Sequence, residues 1–362
     1  MEYDSEIDGL VMYKKLIRIA TKILKIVIFL LILFYIIVRV TPFYSHMDRE
    51  DYNYLGFKEM KENPDVLIFG SSLANCSVNP TMMYENYGIT AYNLSARGQK
   101  PITTNYVIEE SIKIHQPKVI VVVLDYMNDV SGSVTLNQNI LTTRKVGNND
   151  INKLLFLHQN FHNHYMEYVK YFFPVFQFHS DLIKGEMDLA EDISGNYPKY
   201  LFRKGFVKQD DIVAVDMIEK SKEQKQLSSE YVLEIRNLIN QCREKQIEIV
   251  FVALPNTDNG VYLESFAQNF SDCNIIDYYD LFDSIGLDYD TDYYDDFHLN
   301  NNGAQKVSHY LSQYLLQKFE LVDHRDLHEN NLWDIAKIYC DEIGYDNYKT
   351  DSWKYYLDKY GY

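Results

Sequence analysis

The sequence predicts a three-layer, doubly wound parallel α/β sheet with a helical insertion and one N-terminal transmembrane helix. Three observations carry this. Short apolar runs bounded by turn residues recur along the chain, as strands buried on both faces require. Segments with a helical apolar stripe lie between them, and alternation of the two signals marks parallel βαβ units. Near the start, every residue from Ile26 to Val38 is apolar or Tyr.

With Ile23, Leu24 and Val40 that run is long enough to cross about 30 Å of hydrocarbon. Lys22 and Lys25 sit where they reach one interface and Arg39 the other. Lys14, Lys15, Arg18, Lys22 and Lys25 precede the run and Asp48, Glu50 and Asp51 follow it. The positive-inside rule therefore assigns 1–22 to the cytoplasm, 23–41 to a single-pass transmembrane signal anchor and the rest to the extracytoplasmic side. Thr41-Pro42-Phe43 offers no small-x-small cleavage site, so the anchor is expected to be retained. Residues 42–64 are polar and charged and are expected to form a stalk.

The globular part is expected over 65–320. Its strands are placed at Val66–Phe69, Ala91–Leu94, Val119–Leu124, Ile247–Leu254 and Ile275–Ile276, and its helices at Thr104–His115, Ser229–Lys245 and Gly303–Phe319. In the second helix Tyr231, Ile235, Leu238, Ile239 and Cys242 share one stripe, and in the third Ala304, Val307, Leu311 and Leu315 do. Residues 130–227 interrupt the rhythm with an aromatic stretch from Tyr165 to Phe178. That is too long for a plain loop, so a helical insertion or lid is expected. Residues 321–362 form a polar, Tyr-rich C-terminal appendage with one helix expected near Trp333–Ile343.

Composition narrows the function. The 362 residues are 46% apolar, enough for a substantial core. With 35 basic against 52 acidic residues the net charge is −17, which repels phosphate backbones and excludes nucleic acid as a partner. Cys76, Cys242, Cys273 and Cys340 lie far apart with no C-x-x-C pair, which argues against a zinc ribbon or redox motif.

The first strand runs into Gly70-Ser71-Ser72, and a strand stopping at Gly-x-Ser before a helix exposes a hydroxyl at the carboxyl edge of the sheet, where α/β folds keep their sites. After the last strand comes Asp295-Asp296-Phe297-His298. An Asp three residues before a His folds back so that its carboxylate holds Nδ1–H and leaves Nε2 to deprotonate a Ser. Asp296 and Asp292 compete as the orienting carboxylate and His324 and His328 as the base, with spacing favouring Asp295 and His298. Gly98 after the second strand and Asn128 after the third are placed to donate to an oxyanion.

This order of Ser, Gly, Asn and Asp-x-x-His resembles the SGNH (GDSL-type) hydrolase and acyltransferase superfamily over about 64–130 and 247–320. The resemblance implies an SGNH/flavodoxin-like sheet with Ser72 as nucleophile, Asp295 and His298 completing the triad, and Ser72, Gly98 and Asn128 forming the oxyanion hole. It departs in two places: Ser71 replaces the usual Asp, and Tyr126 stands where the third block has Gly. Ser beside the nucleophile is similar to membrane-anchored extracytoplasmic members that transfer acyl groups onto envelope glycans. The stretch Tyr171 to Ser180 also looks like the insertion of such relatives. The resemblance implies a serine esterase or O-acyltransferase acting on acyl esters, such as acetyl, of cell-envelope glycans or glycopolymers. Its expected partners are that acylated polymer, membrane lipid and a multispanning membrane O-acyltransferase. The competing class is a catalytically degenerate binding or scaffold protein of an envelope-modification complex.

No cofactor is expected. His158 and His162 share a helix face with His164 nearby, but the zinc-protease Glu is missing, since the pattern reads His-Gln-Asn-Phe-His. Asp288, Asp290 and Asp292 begin like a calcium loop, but Tyr293 and Leu299 stand where that loop needs Gly and Glu.

Overall fold

The computed structural model describes residues 2–44, 53–129, 202–255, 260–325 and 332–343, apart from 55, 59, 219 and 222, together with 155, 156, 158, 159 and 359. The chain divides into two units, the first comprising 1–46 and 164–189 and the second the rest. In the first unit helix α1 (Glu2–Tyr44) is described. Its span Met12–Ile37 is long and apolar enough to cross a membrane and is not buried in the protein, a length and composition that an N-terminal signal sequence shares.

In the second unit five parallel strands form one sheet: β1 (Val66–Phe69), β2 (Ala91–Asn93), β3 (Val119–Val123), β4 (Glu248–Ala253) and β5 (Asn274–Asp277). Their order is β2-β1-β3-β4-β5, that of a doubly wound sheet. Val66 pairs with Ala91 on one side and Val119 on the other, and Ala253 pairs with Asp277. The order reverses between β1 and β3, and the carboxyl ends of those two strands border the crevice where such sheets bind ligands.

Period-two alternation divides the strand residues between two cores. Leu67, Phe69, Tyr92, Ile120, Val122 and Phe251 face one layer. Its helices are α4 (Pro101–Ser111), α5 (Ser229–Glu244), α6 (Leu263–Asn269) and α9 (Leu332–Ile343). Val66, Ile68, Val121, Val250 and Val252 face the other. That layer holds α2 (Ser72–Ser77), α3 (Pro80–Tyr87), the short α7 (Tyr278–Leu281) and α8 (Asn301–Lys318). Tyr84 of α3 also reaches the first core. Helix α4 begins three residues before its expected start because Pro101 occupies its first turn, where a missing N–H costs nothing. Asn79 caps α3 by accepting the N–H groups of Thr81 and Met82, and Gly88 ends it in a left-handed conformation.

Three segments differ from expectation. The second half of the expected stalk is core: Tyr54, Phe57 and Met60 are buried, because their three-residue spacing puts them on one face. Phe57 packs against Tyr92, and its carbonyl bonds His115 Nε2 at 3.0 Å. The expected C-terminal appendage is likewise integral. Trp333 is 2% exposed, its Nε1–H donates to the Ala91 carbonyl at 3.2 Å, and Tyr339 stacks on Phe202. Helix α9 thus covers the β2 edge.

The described part of the expected helical insertion, within 202–227, has only a short helical turn at 202–203 and otherwise neither helix nor strand. It runs from Asn75 to the loop before α8: the N–H of Val207 donates to the Asn75 carbonyl, that of Val213 to Tyr293 and that of Val215 to Tyr289. The remainder of the insertion, including Tyr165–Phe178, lies outside the described residues apart from four positions.

Candidate active site

Strand β1 delivers Ser72 through a turn that admits only glycine at position 70. Gly70 has φ +148, and a Cβ there would stand 2.9 Å from both the Val123 carbonyl oxygen and Ala74 Cβ. Ser71 caps α2, its hydroxyl accepting the N–H of Leu73 at 3.2 Å and donating to Asp125 Oδ2. Asn93, buried at the end of β2, donates to the carbonyls of Ala74 and Val78 at 2.9 and 3.1 Å, securing the far end of α2.

His298 arrives on a loop closed by the Tyr293–Leu299 bridge and by the Tyr294 N–H donating to the His298 carbonyl. Asn300, 1% exposed, fixes that loop to α8: its Oδ1 accepts the N–H groups of Asn302 and Gly303, and its Nδ2 donates to the carbonyls of Thr291 and Tyr293. The loop brings His298 Nε2 to 2.8 Å from Ser72 Oγ, across 226 residues of chain. His298 Nδ1 lies 2.9 Å from both carboxylate oxygens of Asp295. Asp295 Oδ1 also accepts the N–H groups of Phe297 at 2.9 Å and His298 at 2.8 Å. Partial burial raises the Asp295 pKa, but the bonds from the imidazole and the two backbone N–H groups outweigh it and hold the carboxyl below its usual value. Asp295 is therefore an anion at neutral pH, with the imidazole as its partner.

Two of the competing residues, Asp292 and His324, are occupied elsewhere. Asp292 is 1% exposed and accepts Lys306 Nζ at 2.6 Å and the Asp288 N–H at 2.9 Å. His324 bonds Asp65 at 2.9 Å, and Asp65 precedes β1 at the opposite edge of the sheet. His328, His162 and His164 lie outside the described residues. Among the described residues no group of three His, Cys, Asp or Glu side chains could hold a metal ion.

The two expected oxyanion residues lie on turns beside the Ser72 turn. Gly98 is buried at φ +62, and its turn is tied to the Ser72 loop by the Ala96 N–H donating to the Gly70 carbonyl. Asn128 lies past β3 at φ +72. Its Oδ1 accepts the Ser228 N–H at 2.5 Å, which leaves Nδ2 as the donor this side chain offers. Asp125 joins the Asn128 turn to the Ser72 turn, taking the Ser71 hydroxyl on Oδ2 and the Tyr126 N–H on Oδ1 at 2.8 Å. No protein-family model and no curated protein matches the chain.

Sequence reasoning left out Asp125, although it directly follows the apolar run of β3. Its partner Ser71 lies 54 residues away, so no local spacing reveals the pair. The cavity beside Ser71, lined also by Gln99, Asp125 and Tyr231, encloses only 20 Å³, room for about one water.

Proposed function

We propose that the protein is a serine-dependent acyl esterase or O-acyltransferase acting on acyl esters of cell-envelope glycans or glycopolymers. The observation that carries this reading is the continuous relay from Ser72 Oγ to His298 Nε2 and from His298 Nδ1 to Asp295. A hydroxyl, an imidazole and a carboxylate at these distances form the arrangement that activates a serine.

In the first half-reaction His298 Nε2 takes the Ser72 proton as Oγ bonds to the ester carbonyl carbon. The carbonyl electron pair moves onto its oxygen, which Ser72 N–H, Gly98 N–H and Asn128 Nδ2 stabilise. The intermediate collapses, the bond to the alkoxy oxygen breaks, and His298 returns its proton to that oxygen, leaving acyl-Ser72. In the second half His298 deprotonates the acceptor hydroxyl as its oxygen bonds to the acyl carbon; the intermediate collapses, the bond to Ser72 Oγ breaks, and His298 returns the proton to Oγ, releasing the new ester or acid and restoring the serine. Water as acceptor makes the protein an esterase; a sugar or polyol hydroxyl makes it a transferase. The apolar span of α1 supports membrane residence. We place residues 1–22 in the cytoplasm and the α/β unit outside, on the charge flank of that span, with a multispanning O-acyltransferase as acyl donor.

The test is turnover of an aryl acetate by the full chain in detergent, with and without a glycan acceptor, products being followed by mass. Turnover lost in Ser72→Ala supports the reading, and acetylated glycan identifies transfer. Equal rates in wild type and Ser72→Ala would refute the triad and leave the binding or scaffold alternative.

A further inference from the structure

The turn that carries Asn128 has an unusual backbone and an unusual clamp. Tyr126 at φ +48 and Asn128 at φ +72 are both left-handed, a conformation in which a bulky side chain such as tyrosine is strained. The turn closes through the Asp129 N–H donating to the Tyr126 carbonyl at 2.9 Å. Lys100, 1% exposed and just before α4, reaches both ends of it. Its Nζ lies 3.5 Å from the centroid of the Tyr126 ring and 2.7 Å from Asp129 Oδ2. A buried ammonium needs such compensation, and an aromatic face with a carboxylate supplies it.

We infer that Lys100 is a positioning residue for Asn128: one ammonium grips the first and last residues of the turn, holds Tyr126 in its left-handed conformation and so fixes the side-chain amide between them. The inference rests on the proposed function, since it assigns Asn128 the oxyanion role. It accounts for the Tyr at a place where the resembling pattern has Gly, because the cation–π contact offsets the strain that glycine would avoid. Asp125 holds the same residue from its other side, through the Tyr126 N–H.

The experiment is a double-mutant cycle on the full chain, read as kcat and KM for an aryl acetate. Asn128→Ala should lower kcat by about 10²–10³. Lys100→Met should lower kcat by about 10–100-fold with KM changed by less than about threefold, and should cost less than about threefold more in the Asn128→Ala background. Adding Tyr126→Gly to Lys100→Met should restore most of the kcat, since glycine adopts the turn unaided. Tyr126→Leu, at a partly buried site, removes the ring and repeats the test should Lys100→Met not fold.

Equal costs of Lys100→Met or Tyr126→Leu with and without Asn128 would overturn the inference while leaving the triad intact. Full activity of Asn128→Ala beside a dead Ser72→Ala would overturn the oxyanion assignment, and the inference with it. A wild type whose turnover does not depend on Ser72 would overturn the functional reading itself.

Discussion

Replacing Asp295 by Asn changes few atoms and breaks the relay electrically. Both carboxylate oxygens lie 2.9 Å from His298 Nδ1, and Oδ1 additionally serves the N–H groups of Phe297 and His298. Those two backbone donors keep the amide oxygen of an Asn at the Oδ1 position. Its NH2 then stands where Oδ2 was, facing Nδ1. The amide oxygen still offers Nδ1–H an acceptor, but the NH2 beside it opposes that N–H and favours the other tautomer, in which Nδ1 accepts from the NH2 and Nε2–H points at Ser72, disabling it as a base. In the fully buried triad of a serine protease this change costs about 10⁴ in kcat. Asp295 is 41% exposed, so water replaces part of the lost charge, and the expected loss here is about 10²–10³, or about 3–4 kcal/mol of transition-state stabilisation. The assay is steady-state turnover of an aryl acetate at neutral pH, with Asp296→Asn as the exposed neighbouring control, expected within about threefold of wild type. Because the Asp295 carboxyl titrates below its usual range, its stabilising bonds are complete above that range and are lost as pH falls through its depressed value. Wild type and Asp295→Asn should therefore differ in stability at neutral pH and converge in acid. An Asp295→Asn protein within about threefold of wild type, or an Asp296→Asn protein equally impaired, would refute the reasoning.

Gly70→Ala should lower turnover by about 10² through displacement of the Ser72 turn, since its Cβ meets the Val123 carbonyl at 2.9 Å; unchanged kinetics would show that the turn relaxes freely. Burial depresses the His115 pKa below its ordinary 6.5 against the opposing bond to the Phe57 carbonyl, so the unfolded chain takes the proton first. Denaturant midpoints should thus fall as pH drops below 6.5, and His115→Gln should flatten that slope. Trp333→Ala should cost about 3–5 kcal/mol in chemical denaturation, because the ring is 2% exposed and bonded to Ala91; a cost under about 1 kcal/mol would mean α9 is a dispensable cover.

The strands were legible almost to the residue, since Val66–Phe69 and Val119–Val123 are uninterrupted apolar runs and double-sided burial leaves no other pattern. That Ser72, Asp295 and His298 come together was legible because the doubly wound topology sends the ends of distant strands to one edge of the sheet. The clamp on Asn128 was not, because it joins Lys100 to Tyr126 and Asp129 through space. Tyr54, Phe57 and Met60 carried a readable three-residue spacing that Lys58, Glu59 and the charged residues on either side masked. The burial of α9 was hidden for a related reason: the sequence shows a helix around Trp333 but not the uncovered β2 edge that receives it.

The most direct test of the central claim is the intact mass of the full chain after exposure to a fluorophosphonate, for wild type, Ser72→Ala and His298→Ala. A single adduct on Ser72 that disappears in both variants is the result predicted from the 2.8 Å contact between Ser72 and His298. A folded wild type that takes no adduct, or an adduct that survives His298→Ala, would contradict it.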